Sequence, residues 1–136
     1  MAVDWELREA GPADAAHTVL LLPGGMCSAG SFAELMAQPS LAGIRMVATT
    51  MPGQAGAPPP DDSSVEHYAR LTSELAAKVG ADVIVGFSMG AVVAVEMVVS
   101  GASTWAGCTA ARAVPTGCAR PASRCGSSTP RRATAG

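Results

Sequence analysis

Histidine is almost absent from this chain: its 136 residues hold two, His17 and His67. From Met97 to the end there is no His, Asp, Glu or Lys at all, so no imidazole or carboxylate chemistry can come from the last forty positions. Charge of either sign is sparse, 15% of residues with a net of −2, which argues against a nucleic-acid surface and predicts no nucleic-acid partner. No apolar run is long enough to span a bilayer, so no membrane role is expected. The opening "MAVDWELREAGPADAA" has four acids, Asp4, Glu6, Glu9 and Asp14, and lacks the apolar core of a secretion signal, which predicts a cytoplasmic protein. Cysteine is equally scarce in the first hundred residues, where Cys27 stands alone. Cys108, Cys118 and Cys125 follow, at spacings that match no zinc pattern, so no metal site is expected.

Against that background one stretch stands out, "ADVIVGFSMGAVVAVEMV", residues 81–98. Val83, Ile84 and Val85 form a β-branched run between Gly80 and Gly86, the pattern of a fully buried parallel strand. From Ala91 to Val99 there is no breaker, and Val92, Val95, Glu96 and Val99 fall at helical spacing. The intervening Gly86-Phe87-Ser88-Met89-Gly90 is then a strand-to-helix turn. Such a turn crowds its central residue, and glycine two positions before and after removes the Cβ atoms that would collide. Ser88 is thereby held out at the carboxyl end of a strand. The Met89 amide lies at a helix N-terminus, where orphan N–H groups favour a developing anion. A serine that merely caps the next helix is the alternative reading of the same turn.

The GFSMG pentapeptide resembles the nucleophile elbow, G-x-S-x-G, of the α/β-hydrolase family. Two upstream segments extend the resemblance in the family's own order. In "HTVLLLPGGMCSAGSFAEL", residues 17–35, an apolar run enters a glycine loop and then a helix start with a Ser31/Glu34 capping box. Pro23-Gly24-Gly25 stands where the family has a His-Gly loop, without the histidine, and the resemblance makes Gly25 or Met26 the second oxyanion donor beside Met89. The loop lacks a Gly-Lys-Ser/Thr sequence and full G-x-G-x-x-G spacing, so no nucleotide cofactor is expected. In "RMVATTMPGQAGAPPP", residues 45–60, Pro52-Gly53 matches the family's Asp-x-Pro-Gly-x-Gly turn, with Thr50 in place of the aspartate and Ala55 in place of the last glycine. The next helix presents Val65, Tyr68, Ala69, Thr72, Leu75, Ala76 and Val79 on one face, with a Ser63/Glu66 capping box and Gly80 as its stop.

The resemblance implies acyl transfer to water by a serine nucleophile, on an ester, thioester, lactone, amide or certain C–C bonds, and not the aspartate branches such as epoxide hydrolases. Ser88 would attack the acyl carbonyl of a small-molecule substrate while Met89 and Gly25 or Met26 hold the oxyanion. In the family the histidine and acid of the triad follow the serine, and here neither can. His17 precedes a strand whose length places it about 20 Å from the oxyanion loop. His67 falls in the first turn of a helix returning over the sheet, as a surface residue. Glu96 lies two turns into the elbow helix and points away from Ser88.

The two ends of the chain differ in kind. Residues 1–100 carry four basic and eleven acidic groups, a net of −7; residues 101–136 carry five arginines and no acid, a net of +5. Leu, Ile and Phe are missing from that tail, which therefore cannot build a core and is expected to be irregular. Its composition is that of GC-rich codons out of frame; a natural basic tail for an acidic partner is the alternative. The expectation is an α/β fold: residues 1–100 as the N-terminal half of an α/β-hydrolase domain, an incomplete, mostly parallel sheet with flanking helices. Its strands fall near Trp5–Ala10 (an antiparallel edge), Thr18–Leu22, Arg45–Ala48 and Val83–Val85, with three helices. The chain as written is expected to be a weak or inactive hydrolase, with a binding module or a non-functional gene product as alternatives, and its oligomeric state is not legible.

Overall fold

The computed structural model describes residues 3–101, and the expectation of an irregular tail lies outside them. Four strands form one sheet in the order β1-β3-β2-β4, with β1 Leu7–Ala10, β2 Thr18–Leu22, β3 Arg45–Thr49 and β4 Val83–Gly86. β2 runs parallel to both β3 and β4, and β1 runs antiparallel to β3 as the edge predicted near Trp5–Ala10. The helices are α1 Ala33–Met36, reached through a 3-10 turn at Ala29–Phe32, α2 Val65–Val79 and α3 Met89–Val99.

The central strands read as near-continuous apolar runs because both faces are covered. Leu20, Leu22 and Val47 point to one side, into a core closed by Tyr68, Ala69, Leu75 and Ala76 of α2 and by Val93, Ala94 and Met97 of α3. Leu21, Met46 and Ala48 point to the other, against Ala29 and the partly buried Phe32 and Met36. The period of two thus feeds two layers of packing, and β2 and β3 are pinned between them. At the end of α2, Gly80 stops the helix with φ +67° while Arg45 Nη1 donates to the Val79 carbonyl, relieving an orphan acceptor at the negative end of the dipole.

Three local expectations give way. The Val83–Val85 strand is not fully buried: β4 has one neighbour, β2, and Val85 is 41% exposed, because among the described residues it is the outer strand. The cap of α2 is Ser64, whose hydroxyl accepts from the His67 amide, so the Ser63/Glu66 box is replaced by a cap one residue later. The reason is Asp62, which takes both the Ser64 amide and hydroxyl and so orients that side chain. Ser31 is likewise no cap; it lies inside the 3-10 turn, its hydroxyl donates to the Ser28 carbonyl, and Ser28 caps the turn instead. Among the described residues no helix is long and apolar enough to cross a membrane.

Candidate active site

β4 ends at Gly86 and α3 starts at Met89, leaving Phe87 and Ser88 to turn the chain. Ser88 adopts φ +51° and ψ −113°, a conformation L-residues occupy only when their surroundings force it. Two backbone clamps do so. The Phe87 amide donates to the Leu22 carbonyl at 3.0 Å, and the Gly90 amide donates to the Pro23 carbonyl at 3.1 Å. Together they tie both sides of the turn to the end of β2. The glycines follow from this closeness: a Cβ on Gly86 would lie 2.6 Å from the Ala91 nitrogen, and one on Gly90 would lie 2.7 Å from the Pro23 oxygen. Any side chain at either position drives the turn open.

The same clamps bring the glycine loop against the serine. A Cβ on Gly24 would stand 3.5 Å from the Ser88 Cβ, and one on Gly25 would stand 3.9 Å from the Met89 sulfur. Ser88 is exposed, and its hydroxyl makes no capping bond to α3, which removes the alternative of a plain helix cap. The amides of Gly25 and Met89 have no acceptor among the described residues. The Met26 amide does: it donates to Gln54 Oε1 at 2.7 Å. Of the two candidates for the second donor, Gly25 is therefore the one left open, while Met26, held at φ +63°, anchors the loop.

That anchoring was not legible beforehand. Gln54 comes from the Pro52-Gly53 turn after β3, and its reach to Met26 depends on how the two loops meet. Thr50 is a second such link. It is 2% exposed, accepts from the Ala29 amide at 2.8 Å and donates to Glu6 Oε2 at 2.8 Å. The hydroxyl holds the loop's exit, and the carboxylate lies one step further out.

No general base stands beside Ser88 within the described chain. His17 precedes β2, at the opposite end of the strands, where its Nδ1 meets Asp82 Oδ2 at 2.7 Å while Asp82 Oδ1 accepts from the Thr18 amide. The hydrogen bond from His17 holds the Asp82 carboxyl below its ordinary 3.8. His67 is in the first turn of α2 and faces Arg70, 2.7 Å away. Glu96 is half-buried on α3, two turns beyond Ser88. Among the described residues no group of three or more His, Cys, Asp or Glu side chains could hold a metal ion.

Comparison with known proteins decides the lineage. The model of the alpha/beta hydrolase family matches residues 19–134, most of the chain. The chain belongs to the α/β-hydrolase family. No curated protein sequence matches this chain. Among solved structures it is similar to a protein assigned as an aryl esterase from Burkholderia cenocepacia, at 19% identity and TM-score 0.65, over 76% of this chain and 40% of that one. It is similar to an N-acyl homoserine lactonase solved with N-butanoyl homoserine, at 24% identity and TM-score 0.63, over 73% of this chain and 38% of that one. A protein assigned to the α/β-hydrolase family from Desulfitobacterium hafniense aligns at 26% identity and TM-score 0.60, over 72% of this chain and 40% of the other. This α/β-hydrolase chain thus spans about 40% of the length of such relatives.

Proposed function

We propose that Ser88 is the nucleophile of an acyl hydrolase acting on a small ester, thioester or lactone. The observation that carries this reading is the backbone of Ser88 itself, φ +51° and ψ −113°, held between two glycines that admit no Cβ, with the Gly25 and Met89 amides left without an acceptor among the described residues. A folded chain keeps a strained serine where the strain serves something. Attack of the hydroxyl on an acyl carbonyl would move charge onto the carbonyl oxygen, toward the Gly25 and Met89 amides, the latter at the positive end of the 11-residue α3. The esterase and lactonase relatives fit the same substrate class, an activated acyl carbonyl.

The chain corresponds in this reading to the N-terminal portion of a larger hydrolase domain, and one copy supplies nucleophile and oxyanion donors without a base. A second reading, a binding module that retains the pocket, is favoured by that missing base alone. Turnover of p-nitrophenyl acetate by purified protein, beside Ser88→Ala, separates the two. Weak turnover lost in Ser88→Ala is the expected result, and turnover indifferent to that substitution would remove the nucleophile assignment.

A further inference from the structure

The glycine loop after β2 closes in a β-turn whose form its own residues do not favour. The Cys27 amide donates to the Gly24 carbonyl at 3.2 Å, so Gly25 and Met26 are the two central residues. Met26 holds φ +63°, while Gly25 is not among the residues at positive φ. Positive φ at the second central residue alone marks a type II turn, and that position favours glycine or asparagine because a Cβ there is crowded. Here it carries methionine, 86% exposed, so no packing of that side chain among the described residues offsets the crowding. The type I turn that methionine prefers closes the same hydrogen bond between first and last residue. It differs by a rotation of about half a turn of one unit, the Gly25–Met26 peptide, which exchanges the directions of the Met26 N–H and the Gly25 carbonyl. The loop beside Ser88 therefore has two forms open to it, and its residues alone favour the one not adopted.

What selects the observed form is Gln54. Its Oε1 accepts from the Met26 amide at 2.7 Å, whereas the rotated peptide would turn the Gly25 carbonyl toward that oxygen. Gln54 is itself firmly placed. Its amide donates to the Met51 carbonyl at 3.0 Å, its carbonyl accepts from the Ala57 amide at 2.8 Å, and the neighbouring Gly53 amide donates to the Pro58 carbonyl at 2.9 Å. The buried Tyr68 hydroxyl donates to the Pro52 carbonyl at 2.7 Å and fixes the same turn to α2. The glycine loop's other outside ties lie at its ends, the Gly90 amide on the Pro23 carbonyl and the Thr50 hydroxyl on the Ala29 amide. Between those ends, among the described residues, Gln54 supplies the one hydrogen bond from outside the loop. It also lies beside the open donor: a Cβ on Gly25 would stand 4.0 Å from Oε1.

We propose that Gln54 is a positioning residue for the reaction at Ser88, holding the Gly25–Met26 peptide so that the Gly25 amide, and not that of Met26, is the loop's donor to the oxyanion. The proposal rests on the reading of Ser88 as nucleophile. Gln54 acts through the turn and not on the substrate. With its acceptor gone, the turn relaxes toward type I, and a peptide dipole beside the donor changes direction. Donors to an oxyanion contribute when they are in place before charge develops, so the loss falls on kcat and not on substrate binding.

Turnover of p-nitrophenyl acetate by the full chain tests this in the wild type, in Gln54→Leu, and in Gln54→Leu combined with Met26→Gly or with Met26→Ala. Gln54→Leu removes the acceptor, lowers kcat by about tenfold or more and moves KM by less than about twofold. Glycine at position 26 makes type II the turn's own preference, so adding Met26→Gly returns kcat to within about threefold of the wild type. Met26→Ala removes the same side chain but keeps the Cβ, and does not rescue. A merely structural bond would be missed equally in every background. Amide exchange read by NMR follows the bond without the chemistry: the Met26 amide exchanges about tenfold faster or more in Gln54→Leu, while the Phe87 and Gly90 amides of the elbow keep their protection. Unchanged exchange at Met26, a kcat in Gln54→Leu within about threefold of the wild type, or no rescue by Met26→Gly overturns the proposal and leaves the nucleophile standing. So does a rise in KM alone, which would make Gln54 a substrate contact, or protection lost at Phe87 and Gly90 too, which would make it a structural residue. Wild-type turnover no greater than that of Ser88→Ala removes the nucleophile and the role of Gln54 together.

Discussion

Among the described residues three without glycine's freedom sit at positive φ, Met26, Ala55 and Ser88, and all three lie on loops at the carboxyl end of the strands. At Ser88 the conformation is enforced by contacts that leave no room for relaxation. Gly90→Ala would place a methyl group against the Leu22 and Pro23 carbonyls, and Gly86→Ala against the Gly90 backbone. Overpacking against a rigid backbone sits at the costly end of its range, so each substitution should lower unfolding free energy by about 3 kcal/mol or more. Chemical denaturation of the variants checks this, and a loss below about 1 kcal/mol would mean the turn is looser than its hydrogen bonds imply. Ala55 is the opposite case. It holds φ +48° as an exposed residue where the family has glycine, so nothing but its own Cβ resists the turn. Removing that Cβ relieves about 1–2 kcal/mol of left-handed strain against about 0.5–1 kcal/mol of added chain entropy. Ala55→Gly should therefore raise stability slightly, by about 0.5–1 kcal/mol, and a measured loss would show that the alanine methyl makes a contact in solution.

Among the elements, α2 shows how far a sequence pattern reaches. Its face was legible: Tyr68, Ala69, Thr72, Leu75 and Ala76 are buried, because a stripe at 3.6-residue spacing has one way to meet a sheet. Its first residue was not. Ser63 and Ser64 are equally good caps, and only the reach of Asp62 to Ser64 decides between them. Ser64→Ala should cost about 1 kcal/mol and Ser63→Ala close to nothing; equal losses would restore the earlier cap. The elbow was legible for a different reason. Backbone collisions at Gly86 and Gly90 leave a trace in residue type, whereas the Gln54–Met26 and Thr50–Glu6 links join loops distant in sequence through ordinary polar residues that carry no signature. In α3 the spacing of Val92, Val95 and Val99 marked a helix truly but not its direction. These valines face out, and Val93, Ala94 and Met97 take the core.

Across the whole molecule, the sheet's two ends do different work. The carboxyl ends of β2 and β4 gather the strained serine and the open amides, while the amino ends are fastened by Asp82, whose two oxygens take the His17 ring and the Thr18 amide. Because β4 has a single neighbour among the described residues, this fastening is one of few ties holding its start to the sheet. The bond from His17 lowers the Asp82 carboxyl below its ordinary 3.8, which means the folded protein prefers the carboxylate more than the unfolded chain does. The sign follows: the contribution is fully present above the ordinary carboxylate range and is lost as pH falls through the lowered, folded value. Wild type should thus be more stable than Asp82→Asn near pH 6, and the gap should close as the solution is taken below about pH 4. Both side chains are largely solvated, so added salt should narrow the gap without abolishing the part carried by the Thr18 amide. Urea unfolding of the two proteins at stepped pH reads this directly, and a gap that widened toward low pH would mean that Asp82 enters the folded state protonated and that the His17 bond does not exist.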